Sequence, residues 1–294
     1  MAKKEHPAER VLELHAELAE GPVWDERSHK LFFVDILGEA VHCFDPLSKE
    51  HVSFDVGRPV GCVVLREDGG LALAAGDGFF LVNVDGSGLR RFGNLSANSD
   101  VVRFNDGKVC PSGRFLAGTM DWEKRQPIGA LYMLQGDGRV SELVEKVTIS
   151  NGLAWDSAGT TLYYIDSPRH QIDAFDFDPE TGAVSRRRTI AEFPDVSPDG
   201  MAIDSEGLLW VACWGGSRVE RVDPSFGRTG EGVRLPTSNV SSVAFGGPGM
   251  DDMYITTARE EMSAAQRAAE PEAGNIFVAR PGVCGPPSYR FKLE

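Results

Sequence analysis

Cysteine is scarce in this chain and poorly spaced for chemistry. Five occur in 294 residues (Cys43, Cys62, Cys110, Cys213 and Cys284), with no Cys-x-x-Cys pair and no histidine placed to make a nucleophile or a zinc site. This excludes a disulfide-stapled scaffold and predicts reduced thiols packed as small apolar residues in a cytoplasmic protein. No run of about 18 apolar residues exists, so no membrane span is expected. The charged start, Met1–Pro7, carries no secretory signal. Positive charge is also in deficit: 30 Lys and Arg against 44 Asp and Glu give a formal net charge of −14. A nucleic-acid partner, which needs a cationic face, is not expected. Neither a Gly-x-Ser-x-Gly elbow nor a phosphate-binding glycine loop is present. The six histidines (His6, His15, His29, His42, His51 and His170) fall in the first segment, in turns or in outer strands. A histidine general base is not expected.

What is present is a repeat. An apolar strand, a turn rich in Asp and Gly, and further apolar strands recur six times. The clearest copies begin at Gly21-Pro-Val-Trp-Asp25, Gly152-Leu-Ala-Trp-Asp156 and Gly200-Met-Ala-Ile-Asp204; weaker ones begin near Gly61, Asn105 and Ser242. Alignment puts Glu20, Val60 or Gly61, Asn105, Asn151, Asp199 and Ser241 or Ser242 at equivalent places, about 40 to 48 residues apart. That period in a β-unit predicts an all-β fold: a six-bladed propeller with four-stranded antiparallel blades around a central channel. The units run through the chain without a linker, so residues 1–294 are expected to form one domain. Many strands are apolar at consecutive positions, as sheets buried on both faces require. One helix-like stretch, Arg259 to Glu272, reads as a surface insertion without a clear apolar stripe. A ring of blades must be closed, because an open edge is a liability. Residues 10–18 are expected to complete the last blade beside Asn275–Ala279.

Equivalent positions in a propeller converge on its axis. Glu20, Asn151 and Asp199 each precede a glycine and an apolar strand, so they are expected at the mouth of the channel. Their oxygens are hard ligands, suited to Ca²⁺, Mg²⁺ or Mn²⁺, and to Zn²⁺ or Fe²⁺ where positions stay open. On spacing alone a second reading stands beside this one: Asp and Asn cap turns routinely.

Six strings carry a resemblance that bears on the choice: Ala19-Glu-Gly-Pro-Val-Trp-Asp25, Arg103-Phe-Asn-Asp-Gly-Lys-Val109, Gly118-Thr-Met120, Ser150-Asn-Gly-Leu-Ala-Trp155, Pro198-Asp-Gly-Met-Ala-Ile-Asp204 and Ala212-Cys-Trp-Gly-Gly216. In this order and at these separations the chain resembles the family of senescence marker protein (regucalcin), gluconolactonase and the luciferin-regenerating enzyme, over about residues 17–285. Two departures are Cys110, where Asp is common, and Ser241-Ser242, where Thr-Ser is more usual. The resemblance implies a six-bladed propeller that hydrolyses sugar lactones with one divalent cation in its channel. The family's metal ligands fall on Glu20, Asn151 and Asp199, and its substrate contacts on Arg103, Asn105 and Glu123. Ca²⁺ is the first expectation for the cation, with Zn²⁺, Mn²⁺ or Fe²⁺ as alternatives.

A lactone carbonyl must accept negative charge as water attacks, so a cation at Glu20, Asn151 and Asp199 could polarise it. Asp199 is the candidate general base. The expected partner is a small-molecule sugar lactone, and the chain is expected to be a monomer or weak homo-oligomer. Two other functions remain open at this point. One is a related esterase or phosphotriesterase-like hydrolase; the other is a calcium-binding regulatory or scaffold propeller without turnover, since fold does not fix function.

Overall fold

The computed structural model describes residues 4–95 and 100–294. Six sheets stand around an axis, each made of strands consecutive in sequence except where the ring closes. Their innermost strands are Ala19–Asp25, Val60–Leu65, Val102–Val109, Ser150–Trp155, Ser197–Ile203 and Val240–Gly246. Each pairs antiparallel with the next strand outward. The expected six-bladed propeller is therefore the fold.

Consecutive apolar residues explain the packing. Val60–Leu65 and Gly78–Val82 are buried at every position, because a neighbouring blade covers each face. Six apolar clusters result, and each joins two adjacent blades. In one, Phe32, Val34 and Val41 of blade one meet Val63, Leu71 and Leu73 of blade two. In another, Trp24 and Phe33 of blade one meet Tyr254 and Ile276 of blade six. Each large side chain so buried contributes roughly 1.5–3 kcal/mol, so the contacts between blades hold the ring together. The outermost strands read differently: Val184–Glu192 is mostly exposed and polar.

All six innermost strands share an irregularity. Their pairing register shifts between Glu20 and Val23, Val60 and Cys62, Phe104 and Gly107, Asn151 and Leu153, Pro198 and Met201, and Val240 and Ser242. Such bulges bend a strand and re-aim a side chain. Here they fall on the aligned positions of the repeat. The glycine that follows has a steric reason. A Cβ on Gly152 would stand 2.7 Å from the Asp199 carbonyl oxygen, and one on Gly200 would stand 2.0 Å from Ser242 Oγ. Only glycine lets neighbouring inner strands approach this closely.

The ring closes with a strand from the N-terminal segment, with different bounds from those expected. Ala8–Leu12, and not residues 10–18, pairs antiparallel with Ile276–Ala279 in blade six. Residues beyond Leu12 leave the sheet and cross to blade one, with the amides of Leu14 and His15 donating to Asn275 Oδ1. Lys4–His6 adds a fifth strand to blade five, parallel to Gly227–Arg234. The N-terminal segment thus stitches blade five to blade six. The insertion in blade six carries a helix at Ala264–Ala269 only, shorter than the expected Arg259 to Glu272. Ser263 and Gln266 form its capping box, and none of its residues is buried. Among the described residues no helix is long and apolar enough to cross a membrane.

The C-terminal segment straps one mouth of the channel. Its amides donate in turn to Met250 (Gly285), Leu65 (Phe291), Gly113 (Lys292) and Gly136 (Glu294). Residues from Gly285 to Tyr289 line, together with residues of the inner strands such as Val64, Lys108 and Ala244, a cavity of about 460 Å³. The opposite mouth holds the aligned polar residues.

Candidate active site

Glu20, Asn105, Asn151 and Asp199 come together in a cavity of about 170 Å³ at the N-terminal ends of the inner strands. Arg103, Ser167, Lys124, Trp214 and Glu260 also line it. The proposed ligands lie inside the inner strands, one or two residues after their starts, where sequence reading set them just ahead of a strand. Glu20 is 3% exposed, Asn151 3% and Asp199 6%.

A hydrogen-bonded chain fixes the carboxamides. Arg103 Nη1 donates to Asn105 Oδ1 at 2.7 Å and to the Phe104 carbonyl at 3.0 Å. Asn105 Nδ2 donates to the Ser150 carbonyl at 2.9 Å and to Asn151 Oδ1 at 3.2 Å. Asn151 Nδ2 donates to Ser167 Oγ, which donates onward to the Pro198 carbonyl. Blades three, four and five are locked together by this chain. The Trp122 ring lies 5.5 Å from the Arg103 guanidinium. A buried side chain held this way presents its free polar edge in one orientation.

The carboxylates are held against their preference. Glu20 and Asp199, from blades one and five, line the same cavity and are both buried. Burial, then Asp199, then Asp106 push the Glu20 carboxyl well above the usual range. Burial, then Asp106, then Glu260 do the same to Asp199. Burial also lowers Arg103, although Glu260, Glu20 and Asp199 all favour its charge. Asp199 Oδ1 is buried and has no hydrogen-bond partner among the described residues. Buried carboxylates crowded in this way need a proton or a cation between them.

Two carboxylates, one with an unpartnered buried oxygen, and a carboxamide fit a hard divalent cation. Among the described residues no three His, Cys, Asp or Glu side chains converge to hold a metal by themselves. The carboxamide of Asn151 lines the same cavity.

Two placements depart from what the sequence suggested. Glu123 lies outside the cavity: its side chain is 71% exposed and pairs with Arg125 at 3.2 Å. Its loop folds around Asp121, whose carboxylate accepts the amides of Glu123, Arg125 and Gln126, and this turns Lys124 toward the cavity instead. Asp106 was missed. It is 4% exposed, accepts the Gly107 amide at 2.7 Å, and acts on both Glu20 and Asp199. The signal was present, since Asp106 stands where the copies in blades one, two, four and five have glycine. Glu260 and Lys124 were missed as well, because neither belongs to an aligned position of the repeat.

Comparison with known proteins agrees with this fold. The family model described as the SMP-30/Gluconolactonase/LRE-like region matches residues 18–259. Regucalcin of Xenopus laevis is 42% identical over 267 residues, 88% of this chain and 89% of its own length. A solved luciferin-regenerating enzyme superposes with a TM-score of 0.91 at 29% identity, over 97% of this chain and 99% of that one. A regucalcin from Agrobacterium tumefaciens, described as a calcium-binding protein, gives 0.90 at 27% identity, over 98% and 99%.

Proposed function

This chain belongs to the SMP-30/gluconolactonase/LRE-like family, and from that premise we propose that it is a metal-dependent hydrolase that opens sugar lactones to aldonic acids. One observation carries the proposal: the carboxyls of Glu20 and Asp199 are buried in one cavity with Asn151, and Asp199 Oδ1 has no hydrogen-bond partner among the described residues. Glu20, Asn151 and Asp199 are the residues that would hold the cation. When bound, it would supply Lewis acidity to an ester carbonyl and to water.

The chain's own residues account for the remaining requirements. Arg103 and Asn105 are fixed donors that would orient the lactone through its hydroxyls or ring oxygen. Asp199 would take a proton from the attacking water and return one to the departing ring oxygen, leaving a free acid. A neighbouring cation lowers a carboxylate pKa and weakens it as a base. Burial and the nearby Asp106 and Glu260 push Asp199 the other way. The two effects oppose each other at Asp199.

Elemental analysis of purified protein and a pH-indicator assay on a lactone panel test the proposal. Acid release that chelator abolishes and one cation restores is the expected result. Release only from aryl esters or phosphotriesters would replace lactones as the substrate class. Cation binding with silence on every panel would leave a calcium-binding propeller without turnover, a reading that the calcium-binding Agrobacterium relative makes worth separating.

A further inference from the structure

Two charged side chains face each other over the cavity mouth, and the repeat predicts neither. Glu260 follows the second strand of blade six; Lys124 sits in the loop after the second strand of blade three. Lys124 Nζ bonds Glu260 Oε1 at 2.8 Å and Glu261 Oε1 at 2.8 Å. The Glu260 side chain is 16% exposed and lines the cavity, while that of Glu261 is 54% exposed.

The two ends of this bridge are held differently. Glu260 rests on fixed backbone: its amide donates to the Glu17 carbonyl at 2.8 Å, and its carbonyl accepts from Asn239 Nδ2 at 2.9 Å. Lys124 has φ of +58° in a loop whose neighbours Trp122, Glu123 and Arg125 are exposed. A fixed carboxylate is thus covered by an amine on a surface loop. On the inner side Glu260 acts electrostatically on Arg103 and on Asp199. Arg103 and Asn105 supply donors to the cavity, and Glu260 supplies an acceptor apart from the proposed cation ligands. A molecule filling the space must therefore offer both acceptors and donors, which a polyhydroxylated ring does and a plain lactone does not.

Resting on the lactonase reading, we propose that Glu260 is the specificity-determining carboxylate of the cavity. It accepts hydrogen bonds from substrate hydroxyls remote from the ester, and Lys124 closes the mouth over it.

The test compares D-glucono-δ-lactone with δ-valerolactone, which has the same ring and no hydroxyls. Selectivity is the ratio of their kcat/KM values, or of inhibition constants where one is not turned over. Glu260→Ala should lower that ratio about tenfold or more, through KM for the hydroxylated lactone. Glu260→Gln keeps an acceptor oxygen and should recover part of it. Lys124→Met should lower the ratio as well, and the double variant Lys124→Met/Glu260→Ala should be no worse than Glu260→Ala, because the pair acts as one unit. Equal losses on both lactones would overturn the inference, because Glu260 would then act only through Asp199 or the fold. A wild-type ratio retained in Glu260→Ala overturns it too, while leaving the lactonase reading intact. Wild-type protein that opens neither lactone sinks that reading and this inference together.

Discussion

Charges at the axis and charges at the rim of this ring are held in opposite ways. At the rim they are matched. Arg221 donates to Asp204 at 2.6 Å, to Glu206 at 2.6 Å and to Glu231 at 3.0 Å. Trp210 Nε1 adds a bond to Asp204, and Lys4 and His6 add two to Glu231. Burial works to raise Glu231, yet Lys4, His6 and Arg221 pull it down to about 2. At the axis the balance is reversed: Glu20, Asp106 and Asp199 are buried, and burial raises all three although Arg103 acts on Glu20, Lys108 on Asp106 and Lys124 on Asp199. Rim charges are placed where they stabilise folding. Axial ones are placed by six copies of one bulge, at a cost to folding, where a ligand can use them.

The largest expected effect breaks the axial half of this contrast. Asp199→Asn removes one of the crowded carboxylates and the proposed base. Lactone hydrolysis should fall about a thousandfold. The melting temperature in chelator should stay level or rise, since a raised folded-state pKa marks a charge that opposes folding. Steady-state rates and a thermal melt read both. A wild-type rate would remove Asp199 from the chemistry, and a sharp loss of melting temperature would mean that it belongs with the rim charges.

Removing residues 4–12 breaks the rim half. It strips the closing strand from blade six and the parallel strand from blade five, with the Lys4 and His6 bonds to Glu231. The melting temperature should drop by about 10 °C or more for a loss of several kcal/mol. The rate at low temperature should change less than about threefold, because no cavity residue is touched. An unchanged melt would show that the ring holds without this strand.

How legible each half was follows from the same contrast. Glu20, Asn151 and Asp199 could be read because each marks the same point of a repeated strand with a glycine after it, required by close approach at Gly152 and Gly200 and by a positive φ at Gly21. The strands themselves were legible from runs such as Leu71–Ala75, apolar on both faces. Lys4–His6 was not, since Lys-Glu-His has no apolar pattern and pairs through backbone and ion pairs alone. The closing strand was misplaced because Leu14 and Leu18 continue an apolar look past Leu12 while the chain is already crossing between blades. Lys124 and Glu260 lie in loops, where the repeat imposes no register. Glu123 was expected as an acidic contact and its side chain faces solvent, while the next residue, Lys124, lines the cavity.

The smallest effect sharpens the comparison at a place between axis and rim. His42 and His51 stack in blade one, with Nδ1 of His42 2.9 Å from Nε2 of His51 and Phe33 on the other face of His42. The Nε2 atom of His42 is buried without a hydrogen-bond partner among the described residues. Burial, and then the neighbouring His51, lower the His42 pKa to about 4, against a small opposing pull from Asp35. Burial lowers His51 as well. The unfolded chain therefore takes up a proton on His42 at a higher pH than the folded one. The neutral pair's stabilisation is complete above the unfolded value of about 6.5 and is lost as pH falls toward 4. About 2–3 kcal/mol should disappear across that window in urea titrations. His42→Phe keeps the stack on Phe33 and should flatten the slope. An equal slope in that variant would assign the acid sensitivity elsewhere. It would also make His42 a partnered group like those at the rim, rather than one held, like the axial carboxylates, in the form its surroundings impose.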